Sequence, residues 1–403
     1  MNLSLSTGLA VLCLATFAMP ARTQPTTPDV ATLVQGNSEF AASLYQRLAE
    51  KDGNLFFSPY SISNALAMTH AGARGNTARE MKATLHFNLD DERLHPAFAN
   101  LIAQLHGEDK PRPFQLTVAN RLWGQKDYGF MPAFLKIGQD HYHAGLEEVD
   151  FVRATEDARN LINAWVEKQT QNKIKNLIPK GVLDQQTRLV LTNAIYFKAQ
   201  WLYPFNPKNT QPGAFHLASG TSIETPMMHA KERLQFAQFD SFSIVELPYV
   251  KRDQSMIVLL PKEKHGLAEV EKKLSAANLA MWTKRLSEHQ VELTLPKFKV
   301  TSEIKLKDVL KQMGMIDAFT FGKADFTGMA TREQLYITAI LHKAFVDVNE
   351  AGTEAAASTA VVIGTRSAPP KATFHADHPF LFLIRDRQTG SILFMGRVAN
   401  PSP

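Results

Sequence analysis

Phe40, Leu44 and Leu48 stand four residues apart, which predicts a helix with one buried stripe. Leu161, Ile162, Trp165 and Val166 repeat that spacing after Thr155, predicted as the helix cap, with Glu156 and Asp157 in the first turn. Further along, the period shortens to two. Val291, Leu293 and Leu295 alternate with Glu292 and Thr294, the pattern of a strand wet on one side. Ser255 to Leu260 reads as a buried strand, and Phe380 to Ile384 with Ile392 to Val398 flank Arg385 to Gly390 as a hairpin. Helices first and strands afterwards predict an α+β class. Neither a repeat at fixed spacing nor linker-like composition interrupts the pattern, so one large domain is expected.

The chain has 403 residues, of which 44% are apolar and 21% charged, enough for a large core. This excludes disordered and collagen-like classes. Its 44 basic against 39 acidic side chains give a net charge of +5, a mild bias without long blocks of like charge. The apolar run Leu9 to Met19 is too short to span a bilayer and predicts a signal peptide cut after Ala18, although residues 1–21 contain no Lys or Arg. Residues 1–24 are accordingly assigned to signal peptide and spacer. The protein is expected to be secreted and extracellular, or periplasmic in a bacterium. Cys13 is the sole cysteine and would leave with the leader, so no disulfide is expected.

Enzyme motifs are missing: HExxH, GxSxG, a phosphate-binding GxxxxGK[ST] and paired cysteines do not occur, and the protein is read as no enzyme. His375 and His378, like His141 and His143, read as ordinary histidines, and neither metal nor cofactor is expected. Lys297, Lys299, Lys305, Lys307 and Lys311 form a basic stretch. Polyanion binding and a solvated strand edge both fit it, and the lack of interleaved aromatic residues favours the edge. Neither a nucleic-acid nor a membrane partner is expected, and the protein is read as a monomer. Residues 350–370, EAGTEAAASTAVVIGTRSAPP, are chemically unusual. Thr353 could cap a short helix through Ala355, Ala356 and Ala357, whereas β-branched Thr359, Val361, Val362 and Ile363 favour extended chain. Read with period two, Thr353, Ala355 and Ala357 share an uncharged face and Glu354 lies on the other, as a central strand would need. Arg366-Ser367, followed by Ala368, Pro369 and Pro370, would offer trypsin-like proteases a cleavable bond in an exposed loop, while a surface loop with an incidental Arg fits the same residues and, on them alone, is favoured.

At this segment, and from about residue 33 to residue 401, the sequence resembles the serpin family. NLFFSPYSISNAL (54–66) with GARGNT (72–77), TNAIYFKAQW (192–201), Leu335 to Asn349, DHPFLFLI (377–384) and LFMGRV (393–398) carry the likeness. The resemblance implies a single metastable domain over residues 25–403, with helices around three β-sheets and an exposed reactive-centre loop at about 350–370. It implies that Ser58, Ser61, Asn193 and His342 form a polar shutter under the opening sheet. Trp201, Lys297 and Glu350 would form the breach where insertion begins, with Lys297 and Glu350 as an ion pair. The hinge would comprise Glu350, Gly352, Thr353, Glu354, Ala355, Ala356, Ala357 and Ser358. The family spacing from the hinge glutamate to the attacked bond falls on Arg366, with Ser367 on the leaving side. The implied function is a suicide substrate that traps a trypsin-like serine protease in a covalent complex. The alternatives are a non-inhibitory carrier or chaperone and a cross-class inhibitor of cysteine proteases. Ala199 stands where the family usually has Gly, and Leu94 to His106 lacks the basic cluster of glycosaminoglycan-activated relatives.

Overall fold

The computed structural model describes residues 27–107, 112–331, 335–353 and 369–402. Among them are nine α-helices. The stripe of Phe40, Leu44 and Leu48 lies in the helix Pro28–Leu48 and faces the core. Leu161 to Val166 lie in the helix Thr155–Gln169, but its cap position is Ala154. Thr155 already belongs to the helix, and its hydroxyl donates to Phe151 O at 2.6 Å instead of receiving an amide. Ile162 and Val166 are buried there, whereas Leu161 faces solvent.

The helix α1 (Pro59–His70) is buried along its whole length. Its start is built from one residue: Ser58 Oγ accepts the Ser61 N–H at 3.1 Å and donates to Leu393 O at 2.6 Å. The cap therefore satisfies one of the orphan amides at the helix start and ties the helix to the strand Ile392–Val398.

Above α1 lies a six-stranded sheet. Its members, in chain order, are β1 (Phe114–Gln125), β2 (Leu146–Val149), β3 (Leu189–Gln200), β4 (Phe298–Lys305), β5 (Ala339–Asn349) and β6 (Gly352–Thr353). Across the sheet they run β4-β5-β6-β3-β1-β2. The other strands form a nine-stranded network. Its long strand Ser222–Gln238 pairs Phe242–Pro248 through residues 235–238 and Ser287–Pro296 through residues 227–236. It therefore belongs to two leaves, and with the first sheet the architecture has three. The predicted strands lie in this network: Gln254–Pro261 is wholly buried, and Phe380–Asp386 pairs antiparallel with Ile392–Val398.

The sheet's two faces carry different cores. The main core holds α1 and the aromatic stack of Phe56, Phe382 and Phe394, while a smaller cluster of Trp123, Ile162, Val166, Ile178, Val190 and Leu341 packs under the helix Thr155–Gln169. The six-stranded sheet is thus covered on both sides in its lower half. No helix among the described residues is long and apolar enough to cross a membrane.

Candidate functional site: a partly opened sheet

β5 and β3 run parallel and are directly paired from Ala339↔Val190 to Phe345↔Tyr196. Beyond that point they part, and β6 fills the gap. Thr353 lies opposite Val348 on one side and Ala199 on the other, and Gly352 opposite Asn349 and Gln200. Both pairings are antiparallel, because the chain turns back at Glu350-Ala351. Gly352 and Thr353, two of the residues expected in the hinge, therefore already form a short central strand, and Thr353 takes the extended alternative rather than capping a helix.

Local chemistry explains why the chain enters there. Gly352 has φ +151°, and a Cβ on it would meet Ala199 O at 2.1 Å and Gln200 Cα at 2.8 Å, so only glycine fits between these backbones. Thr353 is fully buried, and its hydroxyl lies 2.7 Å from Tyr249 OH. Burial pushes the Tyr249 phenol well up, against the opposing pull of the Thr353 bond, so the pair is neutral. Tyr249 in turn stacks on Trp201, with ring centroids 4.5 Å apart and planes 9° from parallel.

Trp201, Lys297 and Glu350 are brought together around this entrance. The Trp201 indole donates to Asn349 O at 3.0 Å, and its backbone N–H donates to Ala351 O at 3.0 Å. Lys297 Nζ lies 2.9 Å from Glu350 Oε2, and Thr210 Oγ1 donates to Glu350 Oε1 at 2.8 Å. Burial works against ionisation of Glu350, but its hydrogen bonds with Lys297 and Thr210 outweigh that and hold its carboxyl below the usual range. Lys297 is 39% exposed, so solvent screening keeps this pair's contribution within about 1 kcal/mol. Lys299 likewise pairs with Asp347 at 3.1 Å, so the neighbouring strand neutralises the start of the basic stretch.

Ser58, Ser61, Asn193 and His342 are fully buried at the middle of the sheet and form one network. The Ser58 backbone N–H donates to His342 Nε2 at 3.2 Å. That nitrogen therefore carries no proton, and Nδ1–H donates to Asn193 Oδ1. Burial pushes the His342 pKa down to about 3, which keeps the ring neutral. Asn193 Nδ2 donates to Ser61 O and Ser61 Oγ, each at 2.8 Å.

Sequence reasoning missed one member, Asn120 of β1. It accepts from Asn193 Nδ2 at 2.6 Å and from Ser61 Oγ at 3.1 Å, and it donates to Ser61 O at 3.1 Å. Register makes this unavoidable: Asn120, Asn193 and His342 are direct neighbours on three adjacent strands. The available signal was an amide among Phe114, Leu116, Val118 and Leu122 on the apolar face of its strand, which needs a partner when buried. The network spans the β5–β3 seam, joining side chains of β1, β3 and β5 to the start of α1.

Arg366 and Ser367, together with Glu354, Ala355, Ala356, Ala357 and Ser358, lie outside the described residues. Of the histidines considered for metal, His378 Nε2 bonds Pro261 O at 2.9 Å and its Nδ1 bonds Asp377. No cluster of three or more metal-ligating side chains occurs among the described residues.

Comparison with known proteins covers almost the whole chain. The family model described as Serpin (serine protease inhibitor) matches residues 35–401. The leukocyte elastase inhibitor of Xenopus laevis is 43% identical over 372 residues, covering 90% of this chain and 98% of that protein. Serpin B3 of Homo sapiens is 41% identical over 391 residues, 92% of this chain and 100% of its own length. Among solved structures, Serpin48 of the insect Tenebrio molitor superposes with a TM-score of 0.82 at 34% identity, over 92% of this chain and 98% of that one.

These relatives correct one expectation. The leukocyte elastase inhibitors and Serpin B3 are intracellular serpins, which contradicts a secreted, extracellular or periplasmic location, and that reading of the apolar run Leu9 to Met19 is withdrawn. The run itself lies outside the described residues, and it lacked the basic start that normally orients a leader. The fold and the family are unaffected: the chain belongs to the serpin family of serine protease inhibitors.

Proposed function

We propose that this serpin inhibits trypsin-like serine proteases as a suicide substrate, presenting the Arg366–Ser367 bond. The protease's serine hydroxyl adds to the Arg366 carbonyl, the bond to Ser367 breaks, and the Ser367 amine leaves with the proton, giving an ester between Arg366 and the protease. The guanidinium of Arg366 fits an acidic specificity pocket. The chain from Thr353 onward then enters between β5 and β3. Glu354 to Ser358 follow as the rest of the hinge, and the attached protease is carried away before water cleaves the ester. Trp201, Lys297 and Glu350 act as the entrance, and Ser58, Ser61, Asn193 and His342, with Asn120, as the polar seam that parts. Residues 25–403 form one domain whose loop spans about 350–370, and the inhibitor works as a monomer.

The observation that carries this reading is the pairing of Gly352 and Thr353 between two parallel strands. Insertion then lengthens an existing central strand, and where it parts the β5–β3 pairs from Phe345 to Ala339 it replaces one ladder by two. The small uncharged residues at alternate positions after Thr353, Ala355 and Ala357, suit the buried face of a strand within a sheet, with Glu354 on the other face.

The test is incubation with trypsin, followed by a denaturing gel and mass spectrometry. A complex that survives denaturation, with a released peptide starting at Ser367, is expected, and Arg366→Ala should abolish it. Residual inhibition by that variant should move to proteases with small apolar pockets. Cleavage without a complex would favour the carrier reading, and undiminished trypsin inhibition by Arg366→Ala would reject the reactive bond.

A further inference from the structure

Three strands beside the loop's C-terminal base bring basic residues into one exposed face. The strand Ser222–Gln238 contributes His229, Lys231 and Arg233 at alternate positions, all exposed. The strand Ser287–Pro296 places Thr294, Glu292 and Gln290 directly opposite them. The strand Lys371–His375 completes each row, with His375 beside Thr294, Thr373 beside Glu292 and Lys371 beside Gln290. Alternate residues of paired strands share one side of a sheet, so these rows form a single surface. Its opposite side buries Leu234, Val291, Leu293 and Phe374, with half-buried Glu232 across from Val291.

Within these three rows the face carries Lys231, Arg233, Lys371 and two histidines against one carboxylate, Glu292, and the next row, Gln235 opposite Glu288, puts a second, exposed carboxylate at its edge. Glu292 lies across from Lys231, yet among the described residues no ion pair engages Lys231, Arg233 or Lys371. The other residues of the three rows are neutral, and His229 Nδ1 is bonded to Thr294 Oγ1 at 3.0 Å. Three fixed positive charges therefore stand together in solvent. None belongs to the lysine stretch picked out in the sequence. They come from segments about 140 residues apart and meet only through strand register.

Their place is set by the loop. Gln290 N–H donates to Pro370 O at 2.8 Å, which fastens the loop's C-terminal base to this sheet. Lys371 lies five residues beyond Arg366, so even a fully extended chain holds the reactive bond within about 18 Å of it. Two strand spacings by four residue rises give the face about 10 by 13 Å, a fraction of the roughly 800 Å² that each partner contributes to a protease–inhibitor interface.

We propose that this face is a docking surface for the target protease, selecting trypsin-like enzymes that carry acidic groups on the side of the cleft that receives residues after the cut bond. The proposal rests on Arg366–Ser367 being that bond. Charges at an interface rim act mainly on the rate of encounter and on partner choice. A polyanion is the less favoured occupant, because three fixed cations neutralise few phosphates or sulfates, whereas their position beside the bait suits a protease.

The test compares an anionic with a cationic trypsin, which share specificity and differ in surface charge. Second-order rates of inhibition are measured for the unaltered protein, for K231E/R233E/K371E and for the neutral K231Q/R233Q/K371Q. Charge reversal is expected to slow capture of anionic trypsin on the order of tenfold, with the neutral variant between. Cationic trypsin should not be slowed, and high salt should close the gap. The inhibitor consumed per protease should not change, since insertion is untouched. Equal rates for all three proteins overturn the proposal. So does an acceleration by dextran sulfate that all three basic residues are needed for, which would assign the face to polyanions. If the chain is cut but traps nothing, the rate of cleavage reads the same face while the inhibitor reading falls. If neither trypsin cuts it, the Arg366 assignment and the docking surface fall together.

Discussion

Replacing His342 by Gln isolates the one titration that bears directly on the seam between β5 and β3. In the folded protein burial holds the ring's pKa at about 3, against 6.5 for a free imidazole. Between those values the unfolded chain binds a proton that the folded chain does not. Stability from neutral His342 is therefore complete above about pH 6.5 and is lost as pH falls toward about 3, at about 1.4 kcal/mol per pH unit. The loss reaches about 2 kcal/mol at pH 5 and about 5 kcal/mol at its limit. Its structural cause is specific: a proton on Nε2 would face the Ser58 N–H that this nitrogen now accepts. Other groups add acid sensitivity, including His95, whose pKa burial pushes down to about 4, so the difference between proteins is the informative quantity. Gln can keep one acceptor and one donor at this position without titrating. Urea unfolding at about pH 7.5 and about pH 5 should show the unaltered protein losing about 2 kcal/mol more than His342→Gln. Equal losses would refute the neutral, Nδ1-protonated assignment.

The other expectations concern the same seam. Asn120→Ala removes the acceptor for Asn193 and Ser61 and should cost about 1–3 kcal/mol in urea unfolding, while leaving the reactive bond's specificity unaltered. A cost near zero would mean that water replaces the amide and that the network does not depend on it. Gly352→Ala puts a Cβ against the Ala199 carbonyl in both the present state and any longer inserted strand. It should speed amide exchange at Thr353 and raise the inhibitor consumed per trypsin well above equimolar; unchanged stoichiometry would show that the strand enters elsewhere.

Much of the fold was legible because local pattern and burial agree. The alternation of Val291, Leu293 and Leu295 and the apolar run Ser255 to Leu260 are strands for the reason their spacing suggested. What failed was information held by a partner. Thr294 alternates like a wet position yet is buried, because His229 of the neighbouring strand bonds it. Thr155 has the chemistry of a cap, but the preceding turn supplies Phe151 O as a better partner. Lys297 and Lys299 read as a basic stretch until Glu350 and Asp347 meet them across space. Asn120 was invisible for the same reason: only strand register sets it beside Asn193. Resemblance located Ser58, Ser61, Asn193 and His342, while local reasoning could not foresee that Gly352 and Thr353 already sit within the sheet.

The central claim is that the segment after Thr353 completes the strand that Gly352 and Thr353 begin. Its most direct measurement is the melting temperature before and after a single cut at Arg366–Ser367, on chains freed of protease. Cleavage releases the loop's C-terminal anchor, so the account predicts that the cut protein melts far higher than the intact one, as the segment from Glu354 onward gains ladder bonds on both sides. Equal melting temperatures would show that cleavage does not lengthen β6, and the trapping mechanism would be contradicted.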